Sequence, residues 1–142
     1  MSWIRLSAPP ARAAYPIGRY LEPRSLRILV ADDEPDSVAT LKMLLNDEGH
    51  DVVGVYRGSE VMPTVAEFDP DAVLLDIAMP DLSGYEIAKE IRRRCGNIKP
   101  LLIAISGRYK KASDRIFAEI VGFDHYLAKP YDPNALLSLL RF

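Results

Sequence analysis

The sequence has a single cysteine, Cys95, so neither an internal disulfide nor a cysteine-based metal cluster can form. Such sparing use of thiols fits a reducing compartment. Histidine is nearly as scarce: His50 and His125 have no partner histidine or acid at ligand spacing, so neither reads as a metal or phosphotransfer residue. A basic excess is missing too, with 18 Lys and Arg against 20 Asp and Glu and a formal net charge of −2. That balance argues against a surface built for nucleic acid. No apolar run approaches the length of a transmembrane helix. The expectation is a cytoplasmic protein without a nucleic-acid or membrane partner.

What remains is a composition suited to one folded unit: 142 residues, 49% hydrophobic and 27% charged. Residues 1–24 stand apart. They hold Pro9, Pro10, Pro16 and Pro23, several arginines, and one acid, Glu22. Proline at that density breaks helices, and the segment lacks the apolar stretch of a secretory signal. It reads as a poorly structured arm. The alternative is a docking segment anchored by Trp3, Ile4, Tyr15 and Tyr20.

From residue 25 to 142 the pattern becomes regular. Five short apolar runs, Ile28 to Ala31, Val52 to Tyr56, Ala72 to Leu75, Leu101 to Ile105 and His125 to Ala128, alternate with stretches of helical spacing. Pro35 and Pro133 suit first turns, Gly49 and Gly122 suit helix ends, and Asp132 suits a cap. In the third helical stretch Ile87, Ala88 and Ile91 share a face, and the closing Arg92-Arg93-Arg94 reads as solvated. In the fourth, Ile116 and Ile120 are expected to face inward. The last is rich in leucine, from Leu136 to Leu140, part core and part partner face. Alternation of this kind predicts an α/β fold, a parallel sheet between helices. Right-handed crossovers then bring every strand's carboxyl end to one edge.

Four of those ends carry polar groups: Asp32-Asp33, Asp76, Ser106 and Lys129. An isolated Asp76 would read as the cap of the turn made by Met79-Pro80, but the set reads differently. Three carboxylates in one pocket repel each other unless a hard divalent cation joins them. A carboxylate can itself serve as a nucleophile toward phosphorus. Phosphoryl transfer asks chiefly for positioning and charge neutralisation, which an acid pair, a lysine and a hydroxyl supply.

Val30-Ala31-Asp32-Asp33-Glu34-Pro35, Leu75-Asp76-Ile77-Ala78-Met79-Pro80 with Gly84, Ile105-Ser106-Gly107 and Tyr126-Leu127-Ala128-Lys129-Pro130 are the signatures of a known family. From Leu26 to Leu140 the chain resembles the receiver domain of two-component response regulators. The resemblance implies a flavodoxin-like (CheY-like) doubly wound sheet of five strands in the order 2-1-3-4-5. It implies that Asp76 accepts a phosphoryl group from a histidine kinase or a histidine phosphotransfer protein. Asp32 and Asp33 would hold Mg²⁺ (or Mn²⁺), completed by Asp76 and the backbone carbonyl of Ala78. Lys129 would pair with the phosphoryl oxygens, Ser106 would turn its hydroxyl onto them, and Tyr126 would swing inward behind it. The face made by the fourth helix, fifth strand and fifth helix would then bind a downstream protein or a second copy. The positions two beyond Asp76 and Ser106, here Ala78 and Arg108, tune phosphoryl lifetime in the family. Ala78 leaves the pocket open, and Arg108 is expected to slow hydrolysis.

A phosphoswitch is not a metabolic enzyme, and the rivals that are enzymes fit poorly. A phosphohydrolase of the haloacid dehalogenase type wants a second Asp where Ala78 stands, and a Rossmann domain wants a glycine-rich turn after the first strand. The sequence reads as a single-domain response regulator, with a receiver cut from a hybrid histidine kinase as the alternative.

Overall fold

A computed structural model of the chain describes residues 25–107 and 112–141. The arm and Arg108 lie outside these residues. Five parallel strands, β1 (Arg27–Ala31), β2 (Asp51–Val55), β3 (Ala72–Asp76), β4 (Leu101–Ser106) and β5 (His125–Ala128), form one sheet in the order β2-β1-β3-β4-β5. Between and after them run α1 (Pro35–Asp47), a 3₁₀ turn (Gly58–Glu60) leading into α2 (Val61–Phe68), α3 (Gly84–Cys95), α4 (Ala112–Val121) and α5 (Pro133–Leu139). The order reverses direction beside β1, and such a switch point opens a crevice outside the strand ends.

Alternation along the central strands divides the core in two. Leu29, Val73, Leu75 and Leu102 point to the face covered by α2, α3 and α4. Ile28, Val30, Leu74 and Ile103 point to the face covered by α1 and α5. Because both faces are covered, the inner strands are apolar without interruption. β5, at one edge, is only half-buried along its length.

Helix ends follow local chemistry. Ser83 and Asp132 cap α3 and α5, accepting the N–H groups of Tyr85 at 3.1 Å and Asn134 at 2.9 Å. Pro63 falls in the first turn of α2, where its missing N–H costs little. Gly49 and Gly122 follow α1 and α4 with φ of 93° and 121°, backbone that favours glycine.

The structure corrects two sequence expectations and sharpens a third. Ile116 and Ile120 face solvent, at 58% and 73% exposure, while Ala118 and Val121 meet the core. The helix lies against the sheet through its small residue, which permits close approach, and turns its bulky ones outward. Arg92 is not part of a solvated triplet. Its side chain is 8% exposed and donates to the carbonyls of Gly122 (2.9 Å), Pro100 (2.9 Å) and Gly96 (3.2 Å) and to Asp124 Oδ2 (2.8 Å). Asp124 also accepts the N–H of Leu102, so one guanidinium ties the end of α3 to the starts of β4 and β5. Only Arg93 and Arg94 are solvated, both paired with Glu90. The leucines of α5 go mainly to the core: Leu136, Leu137 and Leu140 are buried and Leu139 partly so.

Candidate functional site

Strand register sets the site. β1 and β3 pair with Ala31 opposite Leu75, β3 and β4 with Asp76 opposite Ile105, and β4 and β5 with Ser106 opposite Ala128. Backbone bonds carry the alignment one residue further: Asp32 N–H to the Val55 carbonyl (3.2 Å), Ile77 to Ile105 (3.1 Å) and Lys129 to Ser106 (2.8 Å). Asp32, Asp76, Ser106 and Lys129 therefore share the carboxyl edge, as the sequence reading expected.

Three of these are among the most buried polar residues described: Asp32 at 3%, Ser106 at 5% and Asp76 at 7% exposure. Asp33 is exposed at the mouth. One carboxylate oxygen from each of Asp32, Asp33 and Asp76 lies within 4.8 Å of the others. Lys129 Nζ sits 3.0 Å from Asp32 Oδ2, while Asp32 Oδ1 accepts the N–H of Glu34 at 2.9 Å. Lys129 thus pairs with Asp32, and Asp76 has a different direct partner: its Oδ1 accepts the Ala78 N–H at 3.0 Å. That bond is the local turn expected of a lone Asp, so the capping role and the pocket role coexist in one residue.

Electrostatics follow from this crowding. Burial pushes the Asp76 carboxyl above its usual range; the Ala78 N–H and Lys129 pull down against it, and the charges of Asp32 and Asp33 push up. Burial works against the Lys129 ammonium, but the hydrogen bond and charge of Asp32, with Asp76 and Glu34, outweigh it and raise its pKa. Oxygen donors of this number and charge fit a hard divalent cation, which would relieve the repulsion.

The segment after Asp76 is held closely. Gly84 donates to the Ile77 carbonyl at 3.0 Å, and a Cβ on Gly84 would lie 2.7 Å from Ile77 Cα and 3.0 Å from the Asp76 carbonyl oxygen. Only glycine fits that approach. Met79 is buried in the core on the face covered by α2, α3 and α4. The sequence reading missed Asp81, whose carboxylate accepts two N–H groups from the far side of β2: Gly58 at 2.8 Å and Ser59 at 2.9 Å. No local spacing signals a bond to residues 22 and 23 positions earlier. Tyr126, on β5, is half-buried, with the Arg115 guanidinium of α4 5.3 Å from its ring centre. Tyr85 and Phe117 stack edge to face at 4.6 Å, joining α3 to α4.

The family model for the response regulator receiver domain matches residues 28–141. The chain belongs to that family. This receiver is 36% identical over 116 residues to the transcriptional regulatory protein TcrA of Mycobacterium tuberculosis, which covers 82% of the chain and 45% of TcrA. It is 33% identical over 114 residues to the transcriptional regulatory protein KdpE of the same species, 80% of the chain and 49% of KdpE. The chain spans less than half the length of these curated relatives. Among solved structures, the BeF₃-activated N-terminal receiver domain of Klebsiella pneumoniae RstA superposes with a TM-score of 0.75 at 25% identity, covering 81% of this chain and 95% of that one. A receiver domain protein from Clostridium thermocellum gives 0.73 at 29% identity, with coverage of 80% and 90%. Receivers are signalling modules of two-component systems, and among the described residues no helix is long and apolar enough to cross a membrane.

Proposed function

We propose that Asp76 is the phosphoacceptor of a two-component or phosphorelay switch. The observation that carries this reading is the convergence of three carboxylates, one lysine and one buried hydroxyl on a single sheet edge. Asp76 Oδ attacks the phosphorus of a partner's phosphohistidine: a P–O bond forms, the P–N bond breaks, and the imidazole keeps the electron pair. Asp32, Asp33, Asp76 and the Ala78 carbonyl would hold Mg²⁺ (or Mn²⁺), which when bound neutralises charge on the phosphoryl oxygens. Lys129 neutralises from the other side, and to do so its ammonium leaves Asp32 for the new oxygens. The Ser106 hydroxyl donates to the same group.

A groove of about 610 Å³ between α1 and the start of α5, lined by Asp36, Thr40, Leu44, Pro130 and Tyr131, opens onto Asp32 and Lys129. It supports a protein phosphodonor seated there. Output runs through β5: Tyr126 lies two residues from Ala128, which pairs with Ser106, and carries Arg115 on its ring. A groove of about 430 Å³ bounded by Arg115, Ile116, Glu119, His125, Tyr126 and Leu139 supports the α4-β5-α5 face as the docking surface for a downstream protein or a second copy. The change needs only a few kcal/mol between states, within reach of one hydrogen bond and one ion pair.

Intact mass tests the reading. Incubation with a small phosphodonor and Mg²⁺ adds one phosphoryl group to the wild type and none to Asp76→Asn. A wild type that never gains mass, even with a cognate kinase, would make this a phosphate-independent receiver.

A further inference from the structure

The segment 77–83 carries the Ala78 N–H that bonds to Asp76, and three attachments hold it. One is the contact of Gly84 with the backbone of Ile77, and another is buried Met79. The third is different in kind. Asp81 is exposed, and its carboxylate accepts hydrogen bonds that span from this segment to the 3₁₀ turn following β2. Its two oxygens each take one backbone N–H, so the carboxylate has a fixed orientation as well as a fixed place. The two segments also touch: a Cβ on Gly58 would lie 2.7 Å from Leu82 Cβ and 3.1 Å from Asp81 Oδ1. The lack of a side chain at Gly58 is what permits this close approach.

From this we infer that Asp81 is a positioning residue for the phosphoacceptor site, clamping the β3–α3 segment to the turn before α2 so that the Ala78 backbone stays registered on Asp76. The inference rests on the proposed role of Asp76 but concerns a residue that touches neither the reacting atoms nor the acid cluster. The direction of the effect follows from the position of Ala78. Its N–H orients the Asp76 carboxylate, and its carbonyl belongs to the proposed cation site, so a loosened segment weakens both together. The turn at Gly58 offers N–H groups at the start of helical backbone, where a carboxylate is favoured, and these N–H groups hold the Asp81 carboxyl below its usual range.

The test compares the wild-type chain, Asp81→Asn and Asp81→Ala. Amide hydrogen exchange at Ala78 and Mg²⁺ binding by calorimetry are read on the unphosphorylated protein, beside the urea midpoint. Asp81→Ala is expected to speed exchange at Ala78 and weaken Mg²⁺ binding roughly tenfold, the usual size for outer positioning groups around a metal site. Asp81→Asn keeps one acceptor oxygen and falls between. A merely structural cap would lower the urea midpoint and leave both other readouts at the wild-type value, and that result overturns the inference. Ala78 exchange does not depend on phosphoryl transfer. Failure of the wild type to take up a phosphoryl group would therefore count against Asp76 alone, while unchanged exchange in a phosphorylatable protein would count against Asp81 alone.

Discussion

Asp76 bears its charge at a cost to the fold, because it is buried beside two other acids with Lys129 already bonded to Asp32. Its pKa is raised above the ordinary 3.8, so the folded chain keeps a proton that the unfolded chain has lost. Stability from this group therefore falls as pH climbs from 3.8 through the folded value, and the penalty is complete above it. At neutral pH without divalent cation, Asp76→Asn should have a higher urea midpoint than wild type, and the gap should close as pH drops toward the ordinary carboxylate value. His50 gives the opposite sign. Its Nδ1 accepts the Leu26 N–H at 3.0 Å, and burial lowers its pKa from 6.5 against the pull of Glu48. Its contribution is intact above 6.5 and lost as pH falls through the folded value. His50→Asn, which keeps an acceptor but does not titrate, should flatten the acid limb of a urea-midpoint titration.

At the scale of elements, α4 and α3 test how packing overrides pattern. Ile116 and Ile120 fall on one stripe of α4 and Ala118 and Val121 on another. Both stripes are apolar, so hydrophobicity alone does not choose the phase; the space over the sheet does. Ile120→Ser should change stability by no more than about 0.5 kcal/mol, whereas Val121→Ala should cost about 1–3 kcal/mol, read by urea unfolding. Arg92 was hidden from the sequence for a different reason. Three of its four acceptors are carbonyls, at Gly96, Pro100 and Gly122, and no residue type marks a carbonyl. Arg92→Ala leaves these carbonyls without the guanidinium and Asp124 without its cation, and should cost about 2–4 kcal/mol. Strand ends were easier to read, because a continuous apolar run followed by a polar residue is itself the signal. β5 begins and ends where the pattern predicts, β3 and β4 begin there and take in the polar residue that follows the run, and β2 is shifted one residue earlier, leaving Tyr56 47% exposed.

Across the whole molecule, the gathering of Asp32, Asp76, Ser106 and Lys129 was legible because chain order and crossover handedness dictate it. The tie from Asp81 to Gly58 and Ser59 was not, since it joins two loops whose approach depends on the finished packing. A cation that binds only the folded acid cluster must stabilise the whole chain by mass action, by about 2.7 kcal/mol at a hundredfold excess over Kd. Mg²⁺ should therefore raise the wild-type urea midpoint and raise that of Asp33→Asn much less. The division of the core by the sheet has a practical consequence. Leu41, Leu45 and Leu136 lie on one side, and Leu75, Ile87 and Val121 on the other. Substitutions far apart and without shared neighbours add independently. The α1/α5 compartment can thus be rebuilt for hardiness while the packing behind α4 is left undisturbed: two separately serviceable halves of one receiver.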